Sequence, residues 1–262
     1  MKYQGPLDFI PLLGIFALTF SLVLIALEAG RRIGRVHGAN TEPGNTSSVG
    51  SMTSSSLALL AFLLAFTFSV AAERFDVRRT TLLDEVNAIG TTFLRASTLP
   101  EPQAVQARAW LRDYVDERLE VVRSRDVEHL VRRSEELHGQ LWSSAASFAR
   151  ANPDSIVAGL YLQTLNEMID LHTKRVSGAL RARIPLVIWV VLAAVTVIGM
   201  LQMGYQMGLD GARIPLLAPA FALAFAAVIY LIADLDRPRG GMVQVSQLPM
   251  EELRQSMMEP AP

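Results

Sequence analysis

The sequence predicts an all-α integral membrane protein with four transmembrane helices in two pairs and a helical cytosolic domain between spans two and three. Three observations predict this class. Hydrophobic residues make up 51% of the 262 residues, more than a soluble domain of this length needs for its core. They are concentrated in four blocks of about 20 residues, the length that a helix needs to cross a bilayer. The chain between the second and third blocks shows helical and not strand-like periodicity.

Each apolar block is long enough to span a membrane and lacks ionisable residues except at its ends. The blocks occupy residues 9–29, 55–72, 184–203 and 214–233. Backbone groups in lipid must be hydrogen-bonded within their own segment, so we expect each block to be a helix. A cleaved signal peptide is the alternative for the first block. Its apolar stretch is too long for that, and Asp8 precedes it where positive charge is typical.

The charges around the spans predict their orientation. Four spans place both termini and residues 73–183 on one side and the 30–54 loop on the other. Lys and Arg near the span ends number ten on the first side and four on the second. The positive-inside rule therefore places both termini and residues 73–183 in the cytoplasm. The cluster of Arg31, Arg32 and Arg35 after the first span argues the other way.

Loop and helix signals divide the segments next to the second span. Residues 38–54 are rich in Gly, Ser, Thr and Asn and are expected to form an extracytoplasmic loop. After the span there is no breaker before Pro100, so one long helix is predicted from about 55 to 97. The charged residues along it, Glu85 included, are interpreted as pairs on the helix surface.

The rest of the helical domain divides at its prolines. Two shorter helices are predicted at 102–124 and 126–150, and a new helix starts at Ile156 after Asn152-Pro153. This last helix is expected to continue toward the third span, with a kink near Pro185. A cytosolic tail, 234–262, follows the fourth span.

The sequence contains no signature of catalysis, of a cofactor or of a metal site, so an enzyme is not expected. The motifs GxxxxGK[ST], GxGxxG, GxSxG and HExxH are absent. The absence of cysteine excludes disulfides and thiol catalysis, and a net charge of −1 gives no basis for nucleic-acid binding. The four histidines lack metal-ligand spacing and are interpreted as helix-surface residues: His37, His129, His138 and His172.

One stripe of the second span carries residues at i, i+4, i+7 and i+11: Phe62, Phe66, Ser69 and Glu73. In a ring of subunits this stripe would place aromatic constrictions above a polar level, and hydrophobic constrictions can gate by dewetting. Helix packing is the alternative interpretation. Farther along, Asn87 and Thr91 belong to a small polar face that suits either a wetted vestibule or close packing.

Charged residues mark the ends of the spans. One set is interpreted either as head-group anchors or as charges at a pore mouth: Glu28, Arg31, Arg32, Arg35 and Arg183. After the last span, Asp234, Asp236 and Arg237 are interpreted as a helix stop with Asp–Arg pairing. A divalent-cation site is the weaker alternative, because only two carboxylates are local, and no metal is predicted.

Four motifs in this order resemble the bestrophin-like domain family of bacterial membrane proteins. They are EAGRRIGR, LLAFTFSVAAERFDVRR continuing into LLDEVNAIGTTFLRA, RIPLVIW, and DLDRPRGG followed by VSQLPMEELR. The resemblance implies a fold related to bestrophins, which are pentameric anion channels with four spans per subunit. It therefore implies a homo-oligomer in the bilayer of the bacterial inner membrane, with a pentamer as the candidate state. The implied ligands are small inorganic ions, with anions expected.

The resemblance does not extend to the acidic calcium clasp of animal bestrophins. Only Asp234 and Asp236 stand in the corresponding region, so calcium gating is not expected. Two other functions are open alternatives. One is a non-conducting scaffold or signalling subunit that binds a cytosolic partner through residues 73–183. The other is a transporter or membrane enzyme, which the uncharged spans and missing motifs disfavour.

Overall fold

The computed structural model describes residues 5–38, 45–124, 126–211 and 216–259. Within them the chain forms eight α-helices and no β-strand. The helices are α1 (Leu12–Gly38), α2 (Asn45–Ala96), α3 (Gln103–Arg123), α4 (Val127–Ala151), α5 (Ile156–Lys174), α6 (Leu186–Leu209), α7 (Leu217–Asp236) and α8 (Leu248–Ser256). A π-helical segment, Arg175–Arg181, follows α5 without a break.

The predicted all-α class and the four spans are confirmed. Four described helices are long and apolar enough to cross a membrane, namely α1, α2, α6 and α7. The chain also divides into two compact units. The membrane unit comprises Gly5–Arg74 and Arg183–Val243. The helical domain comprises Phe75–Ala182 and the segment from Gln244.

In the membrane unit, α1 and α6 approach each other through glycines. A Cβ atom added at Gly30 would lie 2.1 Å from the carbonyl oxygen of Leu201, and one at Gly204 would lie 2.1 Å from that of Leu27. Each glycine is part of a GxxxG pair, a spacing that lets membrane helices pack backbone to backbone. The contact therefore requires glycine on both helices.

The helical domain is built around an apolar core from α2, α3, α4, α5 and α8. Apolar residues at helical spacing on the two short helices are buried: Leu111 and Val115 on α3, and Leu137, Leu141 and Ala145 on α4. Gly90 on α2 lies close to α8, because an added Cβ would be 3.3 Å from Cδ1 of Leu253. The last helix thus belongs to this core.

The expectation of a loop at 30–54 is wrong for residues 30–38, which continue α1, and for residues 45–54, which form the first turns of α2. Hydroxyl side chains in this segment donate hydrogen bonds to backbone carbonyl oxygens one turn earlier and do not interrupt the helix. Thr53 donates to the carbonyl oxygen of Val49 at 2.9 Å, and Ser55 to that of Ser51 at 2.9 Å. Serine and threonine can make such bonds within a helix. Residues 39–44 of the predicted loop lie outside the described residues.

The junction before the third span differs from a simple kink. The predicted start of α5 is confirmed, since the Ser155 side chain accepts from the backbone N–H of Ala158. The helix then widens into the π-helical segment and stops before Pro185, which precedes α6 as its N-cap. A residue before proline is disfavoured in the α conformation, so the break falls here.

Parts of several sequence interpretations fall outside the described residues. Two of the basic residues counted for the predicted orientation, Lys2 and Arg213, are among them, as are Ile214 and Pro215 at the predicted start of the fourth span. The side chain of Arg181 also lies outside the described side chains.

Candidate functional site

In the membrane unit, the predicted stripe of α2 is exposed. Phe62 and Phe66 are 67% and 56% exposed, and Ser69 and Glu73 are exposed as well. Away from this stripe, Thr67 and Ala71 are buried, at 3% and 0% exposure, whereas Phe68 is 39% exposed. The stripe therefore has no packing role inside its own unit and is available to lipid, to another copy of the chain or to a water-filled pathway.

In the helical domain, Asn87 and Thr91 are exposed and line a polar groove between α2 and α5. The groove has a volume of about 770 Å³. Its charged lining residues are three acids and one base: Asp84, Glu167, Asp170 and Lys174. The rest of the lining combines polar side chains such as Asn166 with the apolar Ala88 and Leu171, so the groove is mixed in polarity and its charged residues are mostly acidic.

On the buried side of α2, Glu85 is the centre of a charged network that the sequence interpretation missed. Its carboxylate is fully buried. Arg118 of α3 donates to both carboxylate oxygens, with Nε–Oε1 at 2.9 Å and Nη2–Oε2 at 2.8 Å. Arg175, the first residue of the π-helical segment, donates from Nε to Oε1 at 3.2 Å. The hydroxyl of Tyr114 donates to Oε1 at 2.8 Å.

Glu85 therefore does not pair along its own helix, as the sequence interpretation proposed. It connects α2 to α3 and to the end of α5. Buried charged groups are tolerated only when they are paired and hydrogen-bonded. Here two guanidinium groups and a phenol surround one carboxylate. The arrangement fixes the relative positions of three elements of the helical domain.

The electrostatics keep this network ionised. Burial alone would raise the pKa of Glu85, but the charges of Arg118 and Arg175 outweigh it and hold the pKa well below its usual range. Burial and the neighbouring Glu85 carboxylate raise the pKa of Tyr114, so its hydroxyl stays a donor. Glu85 is therefore an anion and Tyr114 a neutral donor at neutral pH.

The interpretation of all four histidines as surface residues is wrong for two of them. His138 and His172 are 6% and 3% exposed. Their rings pack edge to face with centroids 4.7 Å apart, and the His138 ring lies 4.8 Å from that of Tyr114. Burial lowers the pKa of His138 to about 4. Burial and then the charge of Arg175 lower the pKa of His172, so both rings are neutral at neutral pH.

A signal for these buried histidines exists in the sequence. His138 follows Ser134 by four residues and precedes Leu141 by three, which places it beside the apolar face of α4. His172 follows Met168 by four residues on α5. Helical spacing therefore indicates their burial, whereas their polar nature suggested the surface.

At the ends of the spans, a second polar cluster ties the segment before α1 to α6 and α7. Arg183 donates to Oδ2 of Asp8 at 3.1 Å, and Asp236 accepts from the backbone N–H of Ile184 at 2.9 Å. Arg237 donates from Nη2 to the carbonyl oxygens of Leu7 and Ile10 at 2.7 and 2.5 Å. The guanidinium of Arg237 thus fixes the position of the segment before α1 through hydrogen bonds to its backbone carbonyl oxygens.

Asp234 has a different role from the Asp–Arg pairing predicted for this turn. Its carboxylate accepts from the backbone N–H groups of Met242 and Val243, with Oδ1 2.9 Å from Met242 N and Oδ2 3.1 Å from Val243 N. It therefore closes the Gly-rich turn after α7. Among the described residues, no group of three or more His, Cys, Asp or Glu side chains is arranged to hold a metal ion.

The charges after the first span form a separate group. Glu28 lies 2.6 Å from Nη2 of Arg31 and 2.9 Å from Nε of Arg32, and Arg35 is exposed. Arg183 does not join them, because its partner is Asp8. Both the head-group and the pore-mouth interpretation of Glu28 and its arginines stay predictions.

Comparisons with known proteins give the same fold. Residues 15–250 match the model of a bestrophin-like domain. A bacterial bestrophin homologue from Klebsiella pneumoniae, crystallised as two point variants, superposes with TM-scores of 0.64 and 0.62 at 14% and 13% identity. The first comparison covers 94% of this chain and 97% of the homologue, the second 97% and 96%.

A further crystal structure, described as that of a membrane protein, has a TM-score of 0.63 at 13% identity. It covers 94% of this chain and 97% of its own. At such identities the likeness concerns the fold. No curated protein matches the chain in sequence.

Proposed function

The chain belongs to the bestrophin-like domain family, and we propose that it assembles into an oligomeric ion channel of the bacterial inner membrane. In this proposal, identical subunits surround an axis and the Phe62–Glu73 stripe of α2 faces it. The observation that carries the proposal is the exposure of this stripe, with Phe66 at 56%, on a helix that buries Thr67 and Ala71 away from it. The family resemblance supports a pentamer as the state to test.

The order of residues along the stripe supports a gated pathway. Phe62 and Phe66 would form successive apolar rings, which restrict water and ions when narrow. Ser69 and Glu73 follow as polar and charged levels. The excess of Lys and Arg near one set of span ends supports cytoplasmic termini, so Glu73 would lie toward the cytoplasm.

The charge of the permeating ion has two candidates. The family resemblance favours anions. The exposed acidic residues along α2 favour cations, because Glu73 is followed by Asp76 and Asp84 and rings of carboxylates select cations. The reversal potential in a potassium chloride gradient across a planar bilayer distinguishes a cation channel from an anion channel. A shift toward the potassium equilibrium potential supports cations, and a shift toward the chloride potential supports anions.

Conductance of purified full-length protein in planar bilayers tests the channel itself. We expect unitary currents, and a larger conductance after Phe66→Ala because the apolar ring widens. Phe68→Ala is the matched control, since Phe68 is on the same helix but about 200° around it from Phe66. A folded oligomer that passes no current, either as the wild type or as Phe66→Ala, contradicts the proposal.

The scaffold alternative makes the opposite prediction for assembly. It requires a monomer or dimer with a partner crosslinked to residues 73–183. Native mass measurement in detergent distinguishes the two, because a pore on a shared axis requires a ring of subunits. A monomer would contradict the channel proposal, because one subunit cannot enclose a pore.

A further inference from the structure

A pocket beneath α8 in the helical domain plays no part in the proposed channel. Its volume is about 530 Å³, within the range of about 300–1,000 Å³ typical of small-molecule sites. The end of α2, the first half of α3, and α8 with its following turn form the walls. The lining residues that matter here are Phe93, Leu94, Arg108, Arg112, Leu253 and Met258.

Arg112 places a fixed positive charge in this pocket. Its Nε donates to the carbonyl oxygen of Met257 at 2.9 Å. Its guanidinium carbon lies 5.3 Å from the centroid of the Phe93 ring, a distance at which a cation is attracted to the ring face. The side chain is half-buried, so its position is set before any ligand arrives.

Arg108 adds a second positive charge one helical turn earlier on α3. Its Nε donates to the carbonyl oxygen of Ala104 at 3.3 Å. Its Nη2 is 3.7 Å from the carboxylate of Glu101, whose side chain is 62% exposed, and exposed pairs of this kind are weak. Arg108 can therefore exchange this partner for a ligand at small cost. Among the described residues, Glu259 is the acid that lines the pocket.

The pocket lining also includes exposed apolar side chains. Leu94 and Met258 are 69% and 63% exposed, although they belong to the helical domain and not to a span. Leu253 of α8 also lines the pocket. Large apolar side chains left in water beside two arginines match a ligand with an anionic head and an apolar body.

We propose that this pocket binds a small organic carboxylate. The carboxylate would be held by Arg108 and Arg112, because a guanidinium matches carboxylate geometry with paired hydrogen bonds. The apolar body would cover Leu94, Leu253 and Met258. The site is independent of the proposed channel, since it lies entirely within the helical domain and its occupancy can be measured without any current.

Binding of 2-naphthoate to the full-length protein in lipid nanodiscs tests this proposal. We expect saturable binding by fluorescence above the level of empty nanodiscs. Arg108→Met should weaken it about tenfold, the effect of losing one charge-assisted hydrogen bond. The wild-type protein should bind the neutral analogue 2-naphthalenemethanol more weakly than 2-naphthoate, by a similar factor. Arg132→Met, an exposed arginine of α4 outside the pocket, should bind as the wild type does.

Arg108→Met is the decisive variant because Arg108 contacts only its own helix and the exposed Glu101 in the contacts described. Arg112→Met would also remove the bond to Met257 and could loosen α8. The proposal is overturned if 2-naphthoate shows no saturable binding above the blank. It is also overturned if the Arg108→Met variant binds 2-naphthoate as tightly as the wild type does and the wild type binds 2-naphthalenemethanol as tightly as 2-naphthoate.

Discussion

Arg118 holds the fully buried carboxylate of Glu85 in a two-pronged hydrogen bond across the core of the helical domain. The two residues are 33 positions apart in the sequence, and Arg175 reaches the same carboxylate from 90 positions away. One acid thus organises three helical elements. The Glu85–Arg118 pair is therefore a structural centre of the helical domain. The exposed polar groove of the same domain lies on the other side of α2.

The first prediction concerns the removal of this carboxylate. Glu85→Gln leaves two buried guanidinium groups without their counter-charge, and breaking a buried pair costs about 3–5 kcal/mol. We expect a correspondingly lower free energy of unfolding, measured by denaturant titration of the purified protein. Asp84→Asn is the matched control, because this neighbouring acid is exposed and should change stability by no more than about 0.5 kcal/mol. Equal stability of the two variants would contradict the buried-pair account.

The second prediction is a loss of stability in mild acid. The folded-state pKa of His138 is about 4, below its usual value of 6.5, so the unfolded chain binds a proton first as pH falls. Stability is therefore full above pH 6.5 and declines as pH falls through the window down to about 4, by up to about 3 kcal/mol. His172 acts in the same direction. The lowered pKa of Glu85 adds a loss only below about 4.5.

The variant His138→Phe tests the acid dependence, because it keeps the ring packing and removes the titration. Its free energy of unfolding should depend less steeply on pH between 6.5 and 4. His129→Phe, at an exposed position of α4, should retain the slope of the wild type. A slope unchanged in His138→Phe would show that this ring does not cause the dependence.

The third prediction concerns the glycine contact between α1 and α6. Gly204→Ala would place its Cβ 2.1 Å from the carbonyl oxygen of Leu27, so the helices must separate, at about 1–3 kcal/mol for overpacking. We expect a lower melting temperature in detergent. Gly199→Ala on the same helix meets only side-chain atoms, at the ordinary contact distances of 3.6 and 3.8 Å, and should melt as the wild type does. Equal melting of both variants would mean that the backbones are not in contact.

The spans and the long helix could be predicted from the sequence because one-dimensional features determine them. A helix needs a fixed apolar length to cross lipid, and α2 meets no proline before Pro100. The stripe at Phe62 and Phe66 followed from helical spacing alone. Spacing also placed Leu137 and Leu141 on the buried face of α4.

The buried network could not be predicted in the same way. Helical spacing places Glu85 on the same stripe as the buried Leu82 and Ile89, but its partners on α3 and the π-helical segment are distant in the sequence. Helical spacing indicates the burial of His138 and His172, but nothing in the sequence shows that their rings pack against each other. The turns at 45–54 were interpreted as a loop because serine and threonine favour loops, although here they satisfy the helix backbone.

The most direct test of the central claim uses the absence of cysteine from the chain. Ser69→Cys introduces a single thiol on the α2 stripe, and Phe68→Cys places one on the same helix about 100° away. Current through oligomers in planar bilayers is recorded before and after a trimethylammonium thiol reagent is added. The account predicts that the reagent reduces current through Ser69→Cys channels and leaves Phe68→Cys channels unchanged. Current that is altered at Phe68→Cys but not at Ser69→Cys would contradict a pathway along this stripe.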